Sequence, residues 1–174
     1  MEKKIKIFFL LFISCAIRFY AQSTEEQLAL QAFEAKEYDK ALVYYDKLYD
    51  KNPLKFYKKY FDCLMALKEY KKAEKSAKRQ IKNAPDALDV YLDLGAVYLA
   101  DGNDKKKAEE QYEKAIKQLQ DINQVYLLAQ SFREIKLYDY AIKSYEKGKG
   151  IDYGSYQFVY EIAEVYKEKG DLKG

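Results

Sequence analysis

The chain has 174 residues, 31 of them basic and 28 acidic, with 19 tyrosines, no tryptophan and no histidine. Without histidine it lacks the side chain that most often serves as general base and metal ligand near neutral pH. Its two cysteines have no histidine to activate them, which excludes a papain-like nucleophile.

Residues 1–21 read as a secretory signal peptide. Lys3, Lys4 and Lys6 precede an apolar stretch, Ile7 to Ile17, and Phe19-Tyr20-Ala21 offers a small residue at the cleavage point. The apolar run is about half of the ~20 residues a spanning helix needs. A rival reading comes from Phe12-Ile13-Ser14-Cys15, a loose lipobox in which Cys15 would carry a lipid anchor. Removing this segment takes away Lys3, Lys4, Lys6 and Arg18 against Glu2, which is the whole of the net charge of +3. The remainder is neutral, so a nucleic-acid partner is not expected. Cys63 is then the one cysteine left, inside FYKKYFDCLMAL, and is expected to be a packed core thiol.

From residue 22 onward the chain repeats itself. Ala41, Ala73, Ala108 and Ala141 recur at intervals of 32, 35 and 33 residues. Each follows a short polar turn and opens an amphipathic segment: AKEYDKALVYY, LKEYKKAEKSA, GNDKKKAEEQY and IKLYDYAIKSY. A period near 34 predicts a stack of small helical units. The first unit, 22–53, carries Leu28, Ala29, Ala41, Tyr45 and Leu48; the second, 54–85, carries Tyr57, Tyr60, Leu64, Ala73 and Ala77, with Phe61 where a small residue is wanted. Pro53 and Pro85 are expected to stop the second helix of these units.

The third unit, 88–121, is the sharpest. Tyr91-Leu92-Asp93-Leu94-Gly95-Ala96-Val97-Tyr98 reads aromatic-x2-L-G-x2-Y, followed by Ala108, Tyr112 and Ala115. This resembles the tetratricopeptide repeat, with aromatic, Leu-Gly and Tyr on helix A and Ala, aromatic and Ala on helix B. Gly95 and Ala108 would let the two helices approach closely, and one extra residue in Ala100–Asp104 lengthens the turn between them. The fourth unit, 122–153, has Val125, Leu128, Ala129, Phe132, Ala141 and Tyr145, and Gly148-Lys149-Gly150 reads as its closing junction. A tyrosine recurs just before helix B, at Tyr38, Tyr70 and Tyr138. A partial fifth unit, 156–174, holds Phe158, Ile162, Ala163, Val165 and Tyr166 before Gly170-Asp171. The array then stops in mid-repeat, read either as the front part of a longer docking or sensing protein or as an imperfect lid.

The resemblance implies an all-α, right-handed solenoid over 22–174 whose function is protein–protein interaction along the concave wall of successive A helices. Carried onto this chain, the groove positions are Lys55, Lys58 and Asp62; Asp89, Leu92, Asp93, Ala96 and Leu99; Asn123, Tyr126, Leu127, Gln130 and Arg133; and Gln157, Tyr160, Glu164 and Lys167. Chaperone-binding members clamp a terminal carboxylate with a Lys/Asn/Asn/Lys/Arg set. Here Lys58 fits, but Asp62 and Asp93 stand where asparagines are wanted, and two carboxylates repel such a ligand. A peptide or protein segment of mixed charge is the expected partner; a glycan stacked on Tyr126 and Tyr160 is the alternative. No catalytic, cofactor-binding or metal-ligating set is found, and neither G-x-S-x-G, a Gly-rich phosphate loop nor H-E-x-x-H is present. Basic runs such as Lys105-Lys106-Lys107 read as solvated faces, and Glu74/Lys78 and Glu113/Lys117 as helical ion pairs. The N-terminal pattern and the Lys/Tyr/Ile-rich composition are similar to exported proteins of Bacteroidetes bacteria, which implies the periplasm or outer envelope.

Overall fold

A computed structural model of the chain describes residues 24–151 and 156–170. The expected signal peptide, its Cys15 and the last four residues lie outside the described residues. Within them the chain is all α. Helix α1 spans 24–34; α2 is Tyr38–Lys51, α3 Pro53–Ala66, α4 Tyr70–Asn83, α5 Val90–Ala100, α6 Lys105–Lys117, α7 Ile122–Glu134, α8 Tyr138–Lys149 and α9 Gln157–Lys169. Odd-numbered helices are the A helices of the repeats and even-numbered ones the B helices. None is long and apolar enough to cross a membrane.

The chain divides into two compact units, one ending at Glu69 and the other beginning at Tyr70. The division falls between the two helices of the second repeat, the repeat in which Phe61 holds the small-residue position. In the first unit α2 packs on α3. Its core holds Ala29, Ala41, Leu48 and Leu64, with Tyr49 stacked on Tyr60 at 4.4 Å between ring centroids and 10° between planes. In the second, α4 packs on α5, α5 on α6, α7 on α8 and α8 on α9, and the B helices α6 and α8 also touch. One continuous core runs through it from Leu88 to Val165.

The spaced alanines lie where the repeat needs them. Ala41, Ala73, Ala108 and Ala141 are all essentially buried, so each lets its B helix cross an A helix without an intervening side chain. Gly95 answers the same need from the other side: a Cβ there would come within 2.8 Å of the Tyr112 ring and hydroxyl. The Gly148-Lys149-Gly150 junction closes α8 as expected, with Lys149 its last residue and Gly150 its C-terminal cap, and Gly148 has a second use. It lies inside α8 and is buried, and a Cβ would meet Val125 at 2.8 Å and Phe158 at 2.9 Å. It is a close-packing residue as well as part of the junction. Pro53 differs: it is the first residue of α3, behind an Asn52 cap whose side chain accepts from the Lys55 N–H at 3.1 Å. The fixed φ and missing donor of proline suit the first helical turn, so Pro53 opens one helix as much as it closes another.

The turns between A and B helices share one device. Lys36, Lys68 and Lys136 have φ of 59°, 59° and 60°. After each, the next residue's N–H bonds back five residues: Glu37 to Ala32, Glu69 to Leu64 and Leu137 to Phe132, at 2.8 to 2.9 Å. Each lysine's own N–H bonds back three residues. This pair of bonds closes the helix end with a left-handed residue, a place that glycine fills without steric cost. In the third repeat the extra residue is absorbed by Gly102 at φ 140° and Asn103 at φ 56°. Tyr38, Tyr70 and Tyr138 are the first residues of α2, α4 and α8.

Cys63 is fully buried, and the apolar surroundings push its thiol up to about 12 from an ordinary 9.0. Burial likewise raises Tyr45 to about 12 from 10.0 and Tyr60 further still. Each group is held neutral in the fold and ionises more readily in the unfolded chain. Their contribution to stability is therefore complete below pH 9 and is lost as pH rises toward 12. Urea midpoints should be flat between about pH 6 and 9 and fall steadily above it, with a separate fall in acid as carboxylates such as Glu168 are protonated. Over the same range Cys63 should react with an aromatic disulfide reagent only after denaturant is added. Rapid labelling of the native protein at neutral pH would contradict its burial.

Candidate protein-interaction surface

The first unit contributes the three predicted residues of α3. Lys55 is exposed, pairs with Glu26 at 2.8 Å and lies 4.8 Å from the Phe56 ring centroid. Lys58 pairs with Asp62 at 3.1 Å one turn along the helix and sits over Phe61. The lysine that fits a carboxylate clamp thus already faces a carboxylate of its own chain.

In the second unit most of the predicted positions are open to solvent. Asp89, Ala96, Asn123, Gln130 and Tyr160 are exposed, and Asp93 and Glu164 are half-buried. Glu164 pairs with Lys167 at 3.7 Å. Among the described residues the most exposed large aliphatic side chain is Leu127 on α7, 71% exposed. Leu127 and Asp89 meet at a cleft of about 220 Å³ whose other walls are Asp86, Leu88, Gln124, Leu128 and Ser131. The 84–89 turn supplies the two carboxylates, and α7 supplies the leucine and the polar groups.

Local chemistry fixes that wall. The Asp121 carboxylate caps α7 by accepting from the Gln124 N–H at 2.9 Å, and the Gln124 side chain accepts from the Gln120 N–H at 2.9 Å. This reciprocal pattern is close to a capping box, and the D-I-N-Q spelling of residues 121–124 was the available signal for it. Ser131 donates to the Leu127 carbonyl at 2.9 Å. Asp86, Gln124 and Ser131 are not among the positions the family pattern supplies, because they face the cleft from its rim.

Three predicted groove residues belong to the framework instead. Leu92 is only 7% exposed and is part of the core. Tyr126 packs its ring on Tyr145 and Phe158, at 5.9 and 5.4 Å between centroids, with its hydroxyl withdrawn from solvent. That also removes one of the two rings on which the glycan alternative rests. Arg133 is 18% exposed and bridges to α9, with Nη1 3.2 Å from Glu161 and the rest of its fork on Glu168. The Glu168 bond raises the guanidinium pKa, and the guanidinium in turn lowers that of Glu168. Glu161 also accepts from the Tyr145 hydroxyl at 3.4 Å. Bidentate pairing of this kind ties α7 to α9. Of the two expected helical ion pairs, Glu74 and Lys78 do meet, at 2.6 Å, whereas Glu113 joins Lys143 of α8 and so links two B helices.

Among the described residues no group of His, Cys, Asp and Glu is arranged to hold a metal. What the site offers is a shaped apolar and polar surface on rigid helices.

The fold and this surface define a helical-repeat protein built of antiparallel helix pairs. No family model and no curated protein matches the sequence. Solved structures do. A double mutant of MamA from RS-1 is similar at 16% identity with a TM-score of 0.50, covering 87% of this chain and 86% of that one. A crystal structure of MamA protein is 20% identical with a TM-score of 0.48, covering 87% and 84%. TTC0263, a thermophilic TPR protein of Thermus thermophilus, is 17% identical with a TM-score of 0.48 and the same coverage. The likeness is one of fold, an all-α helical repeat.

Proposed function

We propose that this protein is a non-catalytic scaffold that binds a peptide or protein segment on the A-helix face of its second unit. The observation that carries the reading is Leu127: a leucine 71% exposed, at the rim of a cleft walled by Asp86 and Asp89. An apolar group at the rim of a concave cleft whose walls converge polar side chains is the arrangement that a binding site uses. Asp86, Asp89, Gln124 and Ser131 supply its polar rim, and the exposed Asn123 and Gln130 of α7 continue the polar surface along the same helix. The same proposal places the protein in the bacterial envelope, periplasmic or at the outer membrane, on the strength of the N-terminal basic-apolar-small pattern of residues 1–21.

The test is affinity capture from envelope extract with wild type and with Leu127→Asp, each checked for unchanged helical circular dichroism. A partner specific to the wild type should be lost from the variant, with at least a tenfold weaker affinity once purified. Identical captured proteins for both would remove the cleft from consideration. Charge reversal at Arg133 is not suitable for this purpose, since it breaks the bridge to α9.

A further inference from the structure

Charge is unevenly distributed in the second unit, and its extreme is α4. This helix carries Lys71, Lys72, Lys75, Lys78, Arg79 and Lys82 against a single acid, Glu74, and all six cations are exposed. Its buried residues are Ala73, Ser76, Ala77 and Gln80, with Ile81 partly buried beside them. At 3.6 residues per turn the six cations fall within an arc of about 120°, facing away from that buried side, along a row of about 17 Å. The neighbouring B helices α6 and α8 each add a small basic excess, while the A helices α5, α7 and α9 together carry an acidic one. Folding thus sorts a nearly neutral sequence into a cationic B side and a mildly acidic A side. Lys78 is paired with Glu74 and others of the row have contacts of their own, so what matters is the net charge of the stripe.

We propose that α4 is an electrostatic docking face for an anionic phospholipid bilayer. The exposed arc presents no apolar or aromatic side chain, so it lacks the anchor that a protein pocket needs and the ring that stacks on a base. A straight cationic row meets anionic headgroups at every point of a flat bilayer, whereas a duplex backbone curves away from it. Each lysine or arginine near such a surface adds to adsorption, within a Debye length and without insertion. The envelope location proposed above puts lipid within reach. This face is separate from the Leu127 cleft, so both can be occupied together.

The experiment is co-sedimentation of the purified protein with phosphatidylcholine vesicles, with and without phosphatidylglycerol, at low and high salt. Binding should require phosphatidylglycerol and disappear at high salt. The triple variant Lys71→Glu, Lys75→Glu, Lys82→Glu should bind roughly a hundredfold more weakly or worse, with helical circular dichroism retained. If the triple reversal perturbs folding, the corresponding glutamine variant replaces it and should still weaken binding. Leu127→Asp should bind vesicles as wild type does, which separates failure of this proposal from failure of the cleft. Equal binding to neutral vesicles, undiminished binding of the lysine variants, or tighter binding to duplex DNA than to phosphatidylglycerol vesicles at matched salt would each overturn it.

Discussion

Phe132→Ala should destabilise the second unit by about 3–5 kcal/mol, the usual loss for a buried phenylalanine. Phe132 is fully buried on α7. Its ring meets Tyr112 of α6 edge-on at 5.6 Å and stacks on Tyr140 of α8 at 5.5 Å, and Tyr112 in turn meets Tyr140 at 5.1 Å. Truncation removes apolar area, leaves a void the helices cannot close, and forfeits two ring contacts worth about 0.5–1.5 kcal/mol each. Urea unfolding followed by circular dichroism measures the loss. Ile135→Ala, one turn away but half-exposed, should change stability by less than about 0.5 kcal/mol. A Phe132→Ala effect as small as that control would mean the three rings do not form a packed unit.

The opposite sign is expected at the turn lysines. An L-residue held in the left-handed region costs roughly 1–2 kcal/mol, and Lys36, Lys68 and Lys136 are all held there. Glycine relieves that cost but brings back about 0.5–1 kcal/mol of unfolded-chain entropy. Each Lys→Gly change should therefore gain about 0.5–1 kcal/mol, and the triple variant about 2 kcal/mol, provided the three turns act independently. None of the three side chains is buried, so no packing is lost. Lys114→Gly, inside α6, is the internal comparison and should lose about 1 kcal/mol. A triple variant less stable than wild type would show that the lysines contribute contacts outweighing their backbone strain.

The helices and the alanine crossings were legible because both depend on local spacing. An alanine at a fixed distance after a turn is needed wherever two helices cross, whatever lies further away. The framework role of Arg133 was not legible for the opposite reason. Its partners Glu161 and Glu168 lie on α9, 28 and 35 residues onward, and no local pattern encodes that reach. Leu92 and Tyr126 were misread in a related way. The family's groove positions describe a side of one helix, but whether a residue there is open depends on the size of its neighbours. Phe158 and Tyr145 enclose Tyr126, while the small Ala96 stays exposed. The Gly148-Lys149-Gly150 break was legible because glycine ends many helices, whereas the second use of Gly148, letting Phe158 of α9 come close, depends on a helix further along the chain.

The exposed Leu127 also has an optical consequence. The chain contains 19 tyrosines and no tryptophan, so Leu127→Trp would place a lone indole at the rim of the cleft. Excited at the red edge, where tyrosine does not absorb, it would report on that rim against no protein background. Its emission would shift to shorter wavelength as a ligand displaced water from it, which turns the cleft into its own titration signal.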